Sequence, residues 1–158
     1  MDDQERKRVF SRIPYGLYVV GVRQGDRMSA FTATWLSQCS FKPLRLSLAV
    51  RGGSESHPMI ESDRVFSVNF LARDQIDVAK SFFKKPEPGD GTLSGHPFRT
   101  GVTGCPLLTE APAYLDCKVV EVVDAGDHTI MIGEVVDGAC PSEAEPLRLS
   151  DTPWSYDR

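Results

Sequence analysis

The chain has no apolar run approaching the roughly 18 residues that a membrane-crossing helix needs. Its first residues, Met1-Asp2-Asp3-Gln4-Glu5, are acidic where a secretory leader is basic and then apolar, so the sequence reads as cytoplasmic. Positive charge is in deficit, with 18 Lys and Arg against 22 Asp and Glu and a formal net charge of -4. A broad nucleic-acid-binding face, which must neutralise phosphates, is therefore not expected. Neither G-x-G-x-x-G nor G-x-x-x-x-G-K-[ST] occurs, which removes the usual Rossmann and P-loop cradles for a nucleotide. Cys39, Cys105, Cys117 and Cys140 form no C-x-x-C pair, and His57, His96 and His128 form no H-E-x-x-H. The expectation is no metal, no disulfide framework and four buried free thiols.

What is present suits one compact domain spanning 1–158, with 41% hydrophobic residues. Gln4 to Phe10 reads as a helical turn or two, stopped before Pro14. Tyr15–Val22 is rich in aromatic and β-branched residues and reads as a strand, followed by a Gln24-Gly25-Asp26 turn. Met28–Trp35 and Arg45–Val50 read as further strands with Pro43 at the bend, and Leu46, Leu48 and Val50 alternate with Arg45, Ser47 and Ala49. Val65–Leu71 is strand-like. Asp74 is a natural cap for a helix carrying Ile76, Val78, Ala79, Phe82 and Phe83, which Lys84-Lys85-Pro86 ends. The glycine- and proline-rich stretch from Pro86 to Pro106 reads as a mobile loop, a lid or a dimer-crossing arm. Ala113–Val123 and Thr129–Asp137 form a hairpin around Asp124-Ala125-Gly126-Asp127-His128. Short strands separated by turns, with brief helices, predict a mainly β, antiparallel barrel.

Three segments carry possible chemistry. Arg51-Gly52-Gly53-Ser54-Glu55-Ser56-His57 gathers flexible amides, hydroxyls, a guanidinium and an imidazole past a strand end, which suits a phosphate or an ordinary loop equally. Phe31-Thr32-Ala33-Thr34-Trp35 either lets a flat ring approach the backbone or fills a barrel corner. His128, beside Asp127, is either a solvated turn residue or a group that orients a substrate.

The order of these segments resembles the flavin reductase-like, FMN-binding split-barrel family. Ile13-Pro14-Tyr15-Gly16-Leu17-Tyr18-Val19-Val20 is similar to that family's opening Pro-x-Gly-x-x-x-Val strand, and Phe31–Trp35 to its Met-Thr-Ala-Ser-Ser strand. Phe66–Ala72 resembles Phe-x-Val-Asn-x-Leu, Ala79-Lys80-Ser81-Phe82 its Ala-x-x-Phe, and Gly126–Val135 its Gly-Asp-His hairpin ending in Gly-x-Val. The match covers nearly the whole chain, and it departs where Trp35 stands in place of the family's frequent Ser.

The resemblance implies a Greek-key split β-barrel with a few flanking helices. It implies a flavin, FMN or else FAD, lying along Thr32, Ala33, Thr34 and Trp35, with its phosphate at Arg51, Ser54, Ser56 and His57. Backbone groups at Ala33 and Asn69 would meet the polar edge of the ring, and Phe82 lies in a matching motif. Trp154 and Tyr156, in an ending similar to some members of the family, either pack near the flavin or anchor the terminus. His128 would position NADH or NADPH over the flavin, with Asp127 fixing its orientation, because hydride transfer needs stacked rings and no acid or base. The implied assembly is a homodimer, and the implied acceptor is a partner such as a monooxygenase. The resemblance leaves three tasks open: a flavin reductase, a flavoredoxin-like electron carrier, and a flavin-binding module without turnover.

Overall fold

The computed structural model describes residues 1–156. Helix α1 (Asp3–Phe10) is capped by the Asp2 carboxylate, which accepts from the Glu5 N–H at 2.8 Å. The barrel then forms from β1 (Tyr18–Gln24), β2 (Arg27–Ala33), β3 (Leu36–Phe41), β4 (Leu44–Arg51), β5 (Val65–Phe70), β10 (Ala113–Asp124) and β11 (His128–Ala139). These make one antiparallel sheet in the order β2-β1-β5-β10-β11-β4-β3. Strands β2 and β3 lie at opposite edges of that sheet, yet Thr34 and Trp35 alone connect them. The sheet therefore curls so that its two edges come together at the Thr34–Trp35 connection, with no ladder between them.

The two-residue period of a strand explains how one segment serves two cores. Val20 and Val22 point inward, joining Leu46, Leu48, Val50, Phe66, Val68 and Met131. Leu17 and Val19 point outward to a second core with Leu71, Val78, Ala79, Phe82, Leu93, Leu108 and Leu147. Strand β1 is covered on both faces, so it reads as a continuous apolar run and not as an alternation. Helix α2 (Ser56–Asp63) supplies Met59 and Ile60 to the inner core, and α3 (Ile76–Ser81) supplies Val78 and Ala79 to the outer one. Gly133 on β11 has no room for a side chain, because a Cβ there would lie 2.5 Å from the Phe66 ring.

Several expectations need correction. Leu36–Phe41 is a strand that the sequence reading passed over; it lies at a sheet edge with most of its side chains exposed, so it carries no apolar alternation. The 86–106 stretch is no bare loop. It contains β6 (Pro88–Gly89), β7 (Thr92–Leu93) and β8 (His96–Thr100), which join β9 (Pro106–Leu108) in a four-stranded sheet with Leu93, Leu107 and Leu108 buried. The N-cap of α3 is Gln75 and not Asp74; the Gln75 carboxamide oxygen accepts from the Ala72 N–H at 2.8 Å. Cys105 and Cys117 are buried, whereas Cys39 and Cys140 are exposed, and all four are free thiols.

The chain from Glu145 onward returns to the barrel between two earlier segments. Leu147 N–H donates to Leu71 C=O and its C=O accepts from Leu17 N–H, and Leu149 N–H donates to Tyr15 C=O. A 3-10 turn at Leu149–Asp151 follows, and this threading carries Trp154, Ser155 and Tyr156 to the seam between β2 and β3.

Candidate functional site

A cavity of about 520 Å³ opens at that seam. One wall is the β2–β3 connection: Phe31, Thr32, Ala33, Thr34 and Trp35. This wall is held by bonds that leave the ladder, since Thr32 N–H donates to Phe82 C=O at 3.1 Å and Thr32 Oγ1 donates to Ala79 C=O at 2.6 Å. Phe82, Phe83, Trp154 and Tyr156 add an aromatic part to the lining. Phe83 and Trp154 meet edge to face at 4.6 Å, one of the favoured aromatic geometries. Arg51, Ser54 and Ser56 form the polar end, where β4 gives way to α2. Ser54 Oγ accepts from the His57 N–H at 3.3 Å, so the loop is folded onto the first turn of the helix.

Trp35 divides this cavity from a second one of about 450 Å³ lined by Tyr15, Tyr18, Leu36 and Ile130. Its indole Nε1 is the one buried side-chain polar atom among the described residues with no hydrogen-bond partner. An orphaned buried donor costs about 1–3 kcal/mol.

His128 is buried, at 8% exposure, although the hairpin tip beside it is open. Its Nδ1 lies 2.8 Å from Asp127 Oδ1 and its Nε2 lies 3.0 Å from the Tyr156 hydroxyl. Its ring packs on Trp35 with centroids 4.5 Å apart. The imidazole therefore stands behind two residues of the cavity wall. The hydrogen bond from His128 is the main reason the Asp127 carboxyl titrates below its ordinary range, helped by the charge of Arg51.

The structure gathers most of the residues singled out from sequence around one cavity: Thr32, Ala33, Thr34, Trp35, Arg51, Ser54, Ser56, Phe82, Trp154 and Tyr156. Four do not line it: Asp127 and His128, described above, and Asn69 and His57. Asn69 sits in the middle of the sheet, paired with Val19 on one side and Tyr114 on the other. Its side chain is equally committed: Nδ2 donates to Val19 C=O at 3.0 Å, and Oδ1 accepts from Leu108 N–H at 2.7 Å. Asn69 is a strut between the barrel and β9, with no group left for the ring edge of a ligand. His57 turns away to Thr129 Oγ1 at 2.7 Å, joining α2 to β11.

Leu17, Ala49, Phe83, Leu149 and Ser155 also line the cavity and were not singled out from sequence. Of these, only Phe83 left a signal in the sequence, as a large apolar residue just before the Lys84-Lys85-Pro86 helix stop.

Comparison with known proteins gives a consistent picture. The model of a family described as "Flavin reductase like domain" matches residues 10–153. The ferric-chelate reductase (NAD(P)H) of Archaeoglobus fulgidus is 30% identical over 148 residues, which cover 90% of this chain and 85% of that protein. The diflavin flavoprotein A 1 of Synechocystis sp. is 31% identical over 137 residues, or 86% of this chain, and the chain spans only 24% of that protein's length. Among solved structures, the NADH:FAD oxidoreductase SgcE6 of Streptomyces globisporus, in complex with NAD and FAD fragments, superposes with a TM-score of 0.83. It is 27% identical, covering 96% of this chain and 92% of that one.

Proposed function

Because the chain belongs to the flavin reductase-like domain family, we propose that it is an NAD(P)H-dependent flavin reductase that holds FMN, or alternatively FAD, in the seam cavity. The observation that carries this reading is the meeting of three features at one place: the flat β2–β3 wall, a cationic and hydroxylated end, and a buried imidazole at the border. A volume of about 520 Å³ lies within the roughly 300–1,000 Å³ typical of cofactor pockets.

The residues fit a flavin nucleotide chemically. Arg51, Ser54 and Ser56 offer a guanidinium and two hydroxyls to a phosphate, with the α2 N-terminus beside them. Thr32 to Trp35 offer backbone groups to the polar edge of a ring system. Bound there, a flavin supplies a two-electron acceptor for hydride from a nicotinamide. The protein's own task is then to hold two rings together and to exclude water, for which Phe82, Phe83 and Trp154 form the apolar side.

His128 is assigned to the nicotinamide nucleotide as a positioning residue, with Asp127 keeping its Nδ1 protonated and its ring fixed. It stores no proton for the reaction, since hydride transfer requires none. The reduced flavin, or its electrons, passes to an acceptor such as a monooxygenase. A homodimer belongs to the same proposal, supported by the exposed apolar side chains of Phe41 (84%) and Leu44 at the β3–β4 turn.

One observation favours an electron carrier as a second reading: the aromatic cover of Phe83, Trp154 and Tyr156 would slow the release of a bound flavin. A single anaerobic experiment tests both. Purified protein with FMN is mixed with NADH or NADPH, and oxidised-flavin absorbance is followed at about 450 nm, a general property of the cofactor. Bleaching by either nucleotide is the expected result, and bleaching by neither overturns the reductase. Gel filtration of the FMN-loaded protein then separates the readings, because a carrier retains its flavin and a reductase sheds it.

A further inference from the structure

The Nε2 edge of His128 is already occupied by the chain itself. Asp127 is a carboxylate with only acceptor atoms, so the imidazole nitrogen 2.8 Å from it carries the proton. The remaining nitrogen of a neutral ring is an acceptor, and the Tyr156 hydroxyl, 3.0 Å away, donates to it. Both ring nitrogens are thereby engaged within the protein. Tyr156 also takes up the aromatic surface next to the imidazole, with its ring edge-on to Trp35 at 5.2 Å and 86°.

We propose that Tyr156 sets the affinity for the nicotinamide nucleotide by competing for the same edge of His128 that the nucleotide uses. The proposal rests on the assignment of His128 to that nucleotide. It goes further in identifying what the nucleotide must displace.

The geometry suits displacement. The chain before Tyr156 is fixed by two backbone bonds, Leu149 N–H to Tyr15 C=O and Thr152 N–H to Leu149 C=O, and by Trp154 N–H donating to the Thr152 hydroxyl. Trp154 is further held by its contact with Phe83. Tyr156, two residues beyond, is held through its side chain, by the hydroxyl on His128 and the ring against Trp35. It is 44% exposed, so nearly half of its surface already faces water before it leaves. The residue can swing out while the tail stays anchored at Trp154 and the cavity keeps its aromatic side. Entry of the nucleotide would then exchange one hydrogen bond on Nε2 for another, leaving the Asp127 contact and the ring orientation untouched.

Tyr156→Phe tests this directly, because it removes the hydroxyl and keeps the ring. Binding of oxidised NAD and NADP to the FMN-loaded protein is measured by calorimetry, independently of turnover. For the nucleotide that binds, the variant is expected to gain about 2- to 12-fold in affinity, the worth of one net hydrogen bond. In steady state the gain should appear in KM, with kcat and the FMN dissociation constant moving by less. Unchanged or weaker binding by Tyr156→Phe overturns the proposal, and weaker binding would mean that the hydroxyl holds His128 in a productive pose. If the wild-type protein neither binds nor oxidises either nucleotide, the assignment of His128 falls and takes this inference with it. If the wild type turns over and the variant binds no tighter, only the role of Tyr156 falls.

Discussion

Arg51 and His128 are cross-strand partners, directly opposite each other on β4 and β11. Residues so paired in an antiparallel ladder project to the same face of the sheet, so the guanidinium and the imidazole border one site from adjacent strands. Asp127 links the two: its carboxylate accepts from His128, and its C=O accepts from Gly52 N–H at 2.9 Å. The polar end of the cavity and the imidazole behind its wall are thus joined through a single pair of strands.

Removing the guanidinium separates a phosphate site from a generic cationic surface. For Arg51→Ala, FMN affinity measured by flavin fluorescence is expected to fall about 10- to 150-fold, the range for a hydrogen bond to a charged group. Riboflavin, which has no phosphate, should lose far less. Equal losses for the two ligands would move Arg51 away from the phosphate.

The Thr32 hydroxyl secures the cavity wall to the last turn of α3. Thr32→Val keeps the shape and deletes this bond, so stability in urea should fall by about 0.5–1.5 kcal/mol. The corresponding drop in melting temperature is about 1–6 °C for a chain of this size. A variant as stable as the wild type would show that the wall is held by the backbone bond from Thr32 to Phe82 alone.

Acid stability should depend on Asp63. Its carboxylate accepts from Gly25 N–H at 3.0 Å and pairs with Arg23, and it titrates below the ordinary range, chiefly because of the Gly25 bond and with help from Ser62 and Arg23. A carboxyl with a lowered folded pKa contributes stability above its unfolded value of about 3.9, and that contribution is lost as pH falls through the lower folded value. Urea titrations across this window should therefore show a shallower acid-side decline for Asp63→Asn than for the wild type, from a lower starting stability at neutral pH. Parallel profiles would exclude Asp63 as a source of the decline.

The barrel was legible from the sequence because its inner strands carry runs such as Leu17-Tyr18-Val19-Val20 and alternations such as Leu46, Leu48 and Val50. Edge and miniature strands were not: Leu36–Phe41 faces solvent, and two-residue strands such as Thr92–Leu93 are too short to show any period. In the site, Thr32–Trp35 and Arg51–Ser56 are contiguous segments, so their order along the chain was enough to single them out. Asn69 and His57 were misplaced because their partners are remote, Val19 and Leu108 for the first and Thr129 for the second, at separations of 39 to 72 residues. A local pattern carries no record of a partner that far away.

The two-residue closure between β2 and β3 has a mechanical consequence. A ladder resists opening with many parallel hydrogen bonds, whereas a seam held by Thr34 and Trp35 offers a line along which the barrel can part with its strands intact. A molecule that binds the cavity of the folded barrel and not the unfolded chain would favour the closed form. By mass action it would protect the whole domain by about 2.7 kcal/mol at a hundred times its dissociation constant. The resistance of this protein to heat and proteolysis would then report how much ligand surrounds it.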